Sequence, residues 1–148
     1  MTDLEAMHAA IAEAESAATE GEVPVGAVVL VDGEIIGRGA NRVIRDNDPT
    51  AHAEIVAMRV AALNMRNYRL TGATLVVTLE PCAMCAGAIL HARIGRLVYA
   101  ASDPKAGACG SVLEVMNHPK LNHRVEVEAG LMAEECGAML QKFFRARR

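Results

Sequence analysis

Three apolar runs constrain this chain most: "VGAVVLV" (25–31), "ATLVVTL" (73–79) and "RLVYAA" (96–101). Their length and richness in Val and Leu mark them as strands, with 73–79 buried. The segments around them have helical spacing. Leu4, Met7, Ile11, Ala14 and Ala18 recur on a helical period behind a Thr2/Glu5 capping-box pattern, and Gly21 stops that helix. Asp32-Gly33 signals a tight turn into a returning strand, "EIIGRG" (34–39). Thr50 can cap a helix that opens with "AHAEIVAMRVAAL", and Pro81 suits the first turn of a helix over "CAMCAGAILHA". Residues 40–49 and 102–111 read as polar loops. "HRVEVEAG" (123–130) alternates like a half-exposed strand, and a last helix runs from Leu131 to the end. Strands alternating with helices predict an α/β fold: a three-layer α/β/α sandwich around a central mixed five-stranded sheet, largely parallel after the first hairpin. A length of 148 residues predicts one domain, 1–148. With only four aromatics, Val, Leu, Ile, Ala and Met must fill its core.

No apolar run reaches the ~18 residues of a membrane span, and the N-terminus lacks the basic-then-apolar order of a signal peptide. A soluble, cytoplasmic protein is expected, with its four cysteines serving as ligands or free thiols and not as disulfides. A net charge of −3 argues against generic nucleic-acid binding. The charge is uneven, however. The final "QKFFRARR" carries Lys142, Arg145, Arg147 and Arg148 and no acid. Such a basic end on an acidic body suits an anionic partner, or else is a solvated helix end whose cations favour the helix dipole.

"TAHAEIVAMR" (50–59) sets His52 and Glu54 two apart in an apolar run, a spacing that gives them no common helix face. "LEPCAMCAGA" (79–88) places Cys82 and Cys85 at a helix start, where free backbone N–H groups favour thiolate. Taken alone, Cys-x-x-Cys is also a redox pair or half of a structural zinc site. In α/β sheets the helix N-termini gather at the carboxyl edge of the strands, so His52, Cys82 and Cys85 can converge there. Three protein ligands leave a fourth zinc position for water, and a neighbouring Glu54 can move its protons. His-x-Glu followed by Pro-Cys-x-x-Cys is the signature of zinc-dependent base deaminases. Cys109 and Cys136, like His8, His91 and His123, have no matched spacing and read as core, surface or free groups.

The segments "VPVGAVVL", "DPTAHAEI", "NYRL", "TLEPCAMCAGA", "DPKAGACGS", "HPKLNHRVEV" and "FFRARR" together resemble the bacterial tRNA-specific adenosine deaminases, of the cytidine/deoxycytidylate deaminase superfamily, over nearly the whole chain. "DPTAHAE" and "EPCAMC" are shared in kind with guanine, cytosine and riboflavin-pathway deaminases; "NHRVEV" and the Phe-Phe basic end favour the tRNA branch. The resemblance implies a cytidine deaminase-like fold and hydrolytic conversion of the wobble adenosine of a tRNA anticodon loop to inosine. It implies one zinc ion per chain on His52, Cys82 and Cys85, with Glu54 as proton shuttle while activated water attacks C6 of a flipped-out adenine. Asn41 would then bind the flipped nucleotide, Asp103 and Lys105 its neighbours, and Phe144, Arg147 and Arg148 the RNA. It also implies a homodimer, with no membrane and no organic cofactor. The chain stops at Arg148, whereas some relatives carry a longer basic tail. A free-base deaminase acting on guanine or cytosine, and a noncatalytic zinc-stabilised RNA-binding adaptor, are the rival readings.

Overall fold

The computed structural model describes residues 1–147. Helix α1 spans Asp3–Thr19 and is followed by the hairpin strands β1 (Gly26–Val31) and β2 (Glu34–Ala40). Asp32 and Gly33 join them with φ of 50° and 76°. Two positive φ values in sequence give the turn twist that matches paired strands. Then come α2 (Ala53–Met65), β3 (Thr74–Leu79), α3 (Ala83–His91), β4 (Arg96–Ala101), β5 (Glu126–Ala129) and α4 (Ala133–Arg145).

The sheet order is β2-β1-β3-β4-β5. Strand β1 runs antiparallel to both neighbours, and β3, β4 and β5 are mutually parallel. Strands alternate their side chains between faces, and the core divides accordingly. Val28, Leu30, Val76 and Val98 face Ala6, Met7 and Ala10 of α1 and Cys136 of α4. Ala27, Val29, Leu75, Val77 and Leu97 face Ala53, Ala57 and Met58 of α2 and Ala86 and Ile89 of α3. The α/β/α sandwich predicted above is therefore the architecture found.

Helix α2 lies unusually near the sheet. A methyl group on Gly39 of β2 would fall 2.4 Å from the Ala53 carbonyl oxygen and 2.5 Å from the Ala57 amide nitrogen. Only a residue without Cβ lets the two backbones approach that far.

Three local expectations need correction. Thr50 does not cap α2: its hydroxyl and amide both bond the Asp48 carboxylate, at 2.7 and 2.8 Å, and the N-cap is His52. Pro81 precedes α3 instead of opening it, and its N-cap is Cys82. The last strand is shorter than 123–130, because Val125 turns into the core and His123 bonds the Ile94 carbonyl at 2.7 Å before pairing begins at Glu126. The link from β4 to β5 is a long loop with no helix, closed by one bridge between Cys109 and Glu114.

Candidate active site

Because β2, β3 and β4 point the same way, their carboxyl ends share one edge, and the N-termini of α2 and α3 open onto it. A cavity of about 300 Å³ lies there, lined by Val23 and Val25 before β1, Asn41 after β2, Glu80 after β3, Asp103 after β4, and His52, Glu54 and Cys82. Ligands in open α/β sheets bind outside the carboxyl ends of the strands. The topology thus brings Asn41, His52, Glu54, Cys82 and Asp103, of the residues that the sequence singles out, to one cavity.

His52 Nδ1 lies 3.4 Å from Cys85 Sγ and 3.6 Å from Cys82 Sγ. The three potential ligand atoms all fall within 4.8 Å of one another. His52 and Cys82 are half-buried and Cys85 is buried. Neither N-cap side chain makes a capping hydrogen bond, so both remain free to turn toward the cluster. Hydrogen bonds from Cys85 and His52 hold the Cys82 thiol far below its ordinary value, at about 3. Cys85 moves the other way: its bond to Cys82, its burial and the Glu54 carboxylate all keep its proton on. His52 is raised, chiefly by its bond to Cys82. Metal binding at thiolates characteristically releases protons, and the short contacts among His52, Cys82 and Cys85 place their donor atoms where a cation could take the protons' place. One imidazole and two soft sulfurs form a donor set that suits zinc better than a hard cation.

Glu54 is only 3% exposed and lines the same cavity. Burial raises its carboxyl above the ordinary range, against the pull of backbone hydrogen bonding and of His52. A carboxyl so raised holds a proton more readily than an exposed one, as a group that passes protons must.

Asn41 is buried; its amide donates to the Val23 carbonyl at 3.4 Å and its oxygen accepts from the Val43 amide at 3.4 Å. Asp103 accepts from the backbone of Lys105 and Ala106, at 3.0 and 3.3 Å, which curls the loop at the cavity edge. Lys105 is exposed and is not among the lining residues. Nor are Phe144 and Arg147. Phe143 is buried and Phe144 is 48% exposed, their rings edge to face at 5.5 Å. The Arg147 guanidinium stacks 3.5 Å from the centre of the Phe143 ring. Arg148 lies outside the described residues.

Two buried carboxylates escape the sequence reading. Glu22 accepts from the amides of Ile44 and Arg45, at 3.1 and 2.8 Å, fixing the loop that follows Asn41. Glu80 is 2% exposed and accepts from the amides of Asp103, Cys109 and Ser111 and from the Ser111 hydroxyl. Burial raises Glu80, but these donors outweigh it and hold the carboxyl below its ordinary value. The available signal was a charge directly after a buried strand, which had to find partners in the fold.

The MafB19-like deaminase family model matches residues 1–148. The tRNA-specific adenosine deaminase of Haemophilus influenzae is 54% identical over 147 residues, covering 99% of this chain and 85% of that protein. A solved structure from studies of A-to-I editing by tRNA:A34 deaminases at the wobble position of transfer RNA superposes with a TM-score of 0.88 at 47% identity, covering 91% of this chain and 98% of that one. The guanine deaminase of Bacillus subtilis follows at 31% identity and a TM-score of 0.67, covering 99% of this chain and 94% of that one. A relative 54% identical over nearly the whole of this chain, and a deaminase family model that matches it from end to end, show that this chain belongs to the tRNA-specific adenosine deaminase family.

Proposed function

We propose that this protein hydrolyses the wobble adenosine of a tRNA anticodon loop to inosine, releasing ammonia. The observation that carries the reading is the cluster of His52, Cys82 and Cys85 at the edge of a cavity of about 300 Å³ that buried Glu54 also lines. His52, Cys82 and Cys85 would hold one zinc ion per chain. Bound there, zinc supplies the activation of water near neutral pH, lowering its pKa to about 7.

Glu54 takes a proton from the attacking water and passes it to N1 of the adenine. The second water proton leaves with the amine, so that oxygen adds at C6 and ammonia departs. The target base must first leave its stack, and a cavity lined by Val23, Val25 and Val43 accepts a flipped ring. Asn41 offers an amide at its edge to orient that nucleotide. Asp103 and Lys105 would meet the flanking nucleotides, while Phe144, Arg147 and Arg148 supply a stacking face and phosphate-pairing cations.

A cytoplasmic homodimer is part of the same reading. Among the described residues no helix is long and apolar enough to cross a membrane. Val60, Leu63, Met65 and Tyr68, on and just after α2, are exposed together. A second copy covering them would supply the partner subunit.

Purified protein incubated with matched anticodon stem-loops, followed by nucleoside analysis, tests the function. Inosine at the wobble position is the expected product. Rapid deamination of free guanine or cytosine with the stem-loop untouched would overturn it in favour of the base-deaminase reading.

A further inference from the structure

The loop after β4 is built around one carboxylate. Glu80 Oε1 accepts from the Asp103 amide at 3.0 Å and from the Ser111 hydroxyl. Glu80 Oε2 accepts from the amides of Cys109 at 2.9 Å and Ser111 at 3.2 Å. Gly107 lies over the same carboxylate. A methyl there would fall 2.4 Å from Glu80 Cδ and 2.5 Å from each oxygen. Residues 103, 107, 109 and 111 therefore encircle the group, and four donors fill its two oxygens. Glu80 itself stands two residues before Cys82 and lines the same cavity as Glu54 and Asp103. The Ala108 amide adds a second tie to this corner, bonding the Pro81 carbonyl at 2.8 Å.

We propose that Glu80 is a positioning residue that holds the 102–111 loop, and Asp103 with it, at the cavity edge, and that it thereby sets substrate binding and leaves the chemical step to Glu54. This deepens the function proposed above and rests on it. Short loops owe their shape to whatever satisfies their backbone N–H groups. Here no strand or helix does it: Asp103 takes the amides of Lys105 and Ala106, and Glu80, between β3 and the Cys82–Cys85 corner, takes those of Asp103, Cys109 and Ser111.

The geometry makes Glu80→Gln a directed probe. The amide NH2 can replace only one oxygen. At the Oε2 position it would face two backbone N–H donors. At Oε1 it faces one, Asp103, while the Ser111 hydroxyl can turn to accept. Glutamine therefore settles with its NH2 toward Asp103 and releases that amide alone. A buried donor left unpaired costs enough to raise KM for the stem-loop about tenfold, with kcat within about threefold. Zinc content should match wild type. Amide exchange at Asp103 should quicken by about the same factor, while Cys109 and Ser111 stay protected. Gly107→Ala reaches the same carboxylate from the loop side without touching the cysteine corner, and should raise KM in the same way.

A fall in kcat at unchanged KM, a loss of zinc, or unaltered Asp103 exchange in Glu80→Gln would overturn the proposal. So would an unchanged KM in Gly107→Ala, which keeps the test open if Glu80→Gln does not fold. If wild type makes no inosine from any stem-loop, the substrate reading fails separately. Exchange then decides alone: faster exchange at Asp103 supports the anchor, and unchanged exchange removes it.

Discussion

The start of α1 and the starts of α2 and α3 solve the same problem in opposite ways. Every helix begins with unpaired N–H groups. At α1 the Thr2 hydroxyl accepts from the Glu5 amide at 3.1 Å, and the Glu5 carboxylate accepts from the Thr2 amide at 3.0 Å, a complete capping box. At α2 and α3 the N-cap positions are held by His52 and Cys82, and neither side chain caps anything. Both face the cluster instead. On one face of the sheet α1 thus uses its cap residue for helix stability, and on the other α2 and α3 turn theirs toward a site. Local rules are broken where function claims the residue.

The comparison breaks most sharply at Cys82. Serine is a good N-cap but a poor zinc ligand. Cys82→Ser should drop metal content from one per chain to near zero and abolish inosine formation. Its unfolding in urea should be no easier than that of metal-free wild type. Retained metal would show that the cluster does not depend on this cap.

Glu54, two residues past the His52 cap in the first turn of α2, ranks next. Glu54→Ala should keep its zinc and its fold yet slow product formation by at least ~10²-fold, the scale of general acid–base catalysis. Loss of zinc from that variant would make Glu54 a ligand and overturn its assigned role.

Thr2 gives the smallest effect, and only on stability. Thr2→Ala should cost about 1 kcal/mol in urea unfolding at neutral pH and leave inosine formation unchanged. The Glu5 carboxyl is held below its ordinary 4.5 by the Thr2 amide and hydroxyl. A depressed acid contributes its stability above the unfolded value, and that contribution is lost as pH falls through the folded one. The gap between Thr2→Ala and wild type should therefore narrow below about pH 4.5. A gap that widened in acid would show that Glu5 does not share in the cap.

What the sequence made legible follows from range. Thr2 with Glu5, and Asp32 with Gly33, are signals spanning a few residues, and the structure holds both. His52 and the cysteines lie 30 and 33 residues apart, yet they were readable because an α/β sheet sends its helix starts to one edge. Thr50 misled because Asp48, two residues away, competes for its hydroxyl. Glu22 was silent, and Glu80 showed only as a charge directly after a buried strand, because their partners are backbone amides 22 to 31 residues distant, which no residue type announces. Neighbours on a helix point about 100° apart, and of the adjacent rings at 143 and 144 one is buried and one exposed.

Gly39 has a consequence for how variation in this protein would be read. It does not line the cavity, yet it sets how deep the first turn of α2 can lie. Any side chain there would lift Ala53, and with it the flanking His52 and Glu54, by a fraction of an ångström. Catalytic geometry tolerates little of that. In a survey of tolerated substitutions, Gly39 would therefore score like an active-site residue, and a sequence change in the middle of a strand would be inherited as a defect in chemistry.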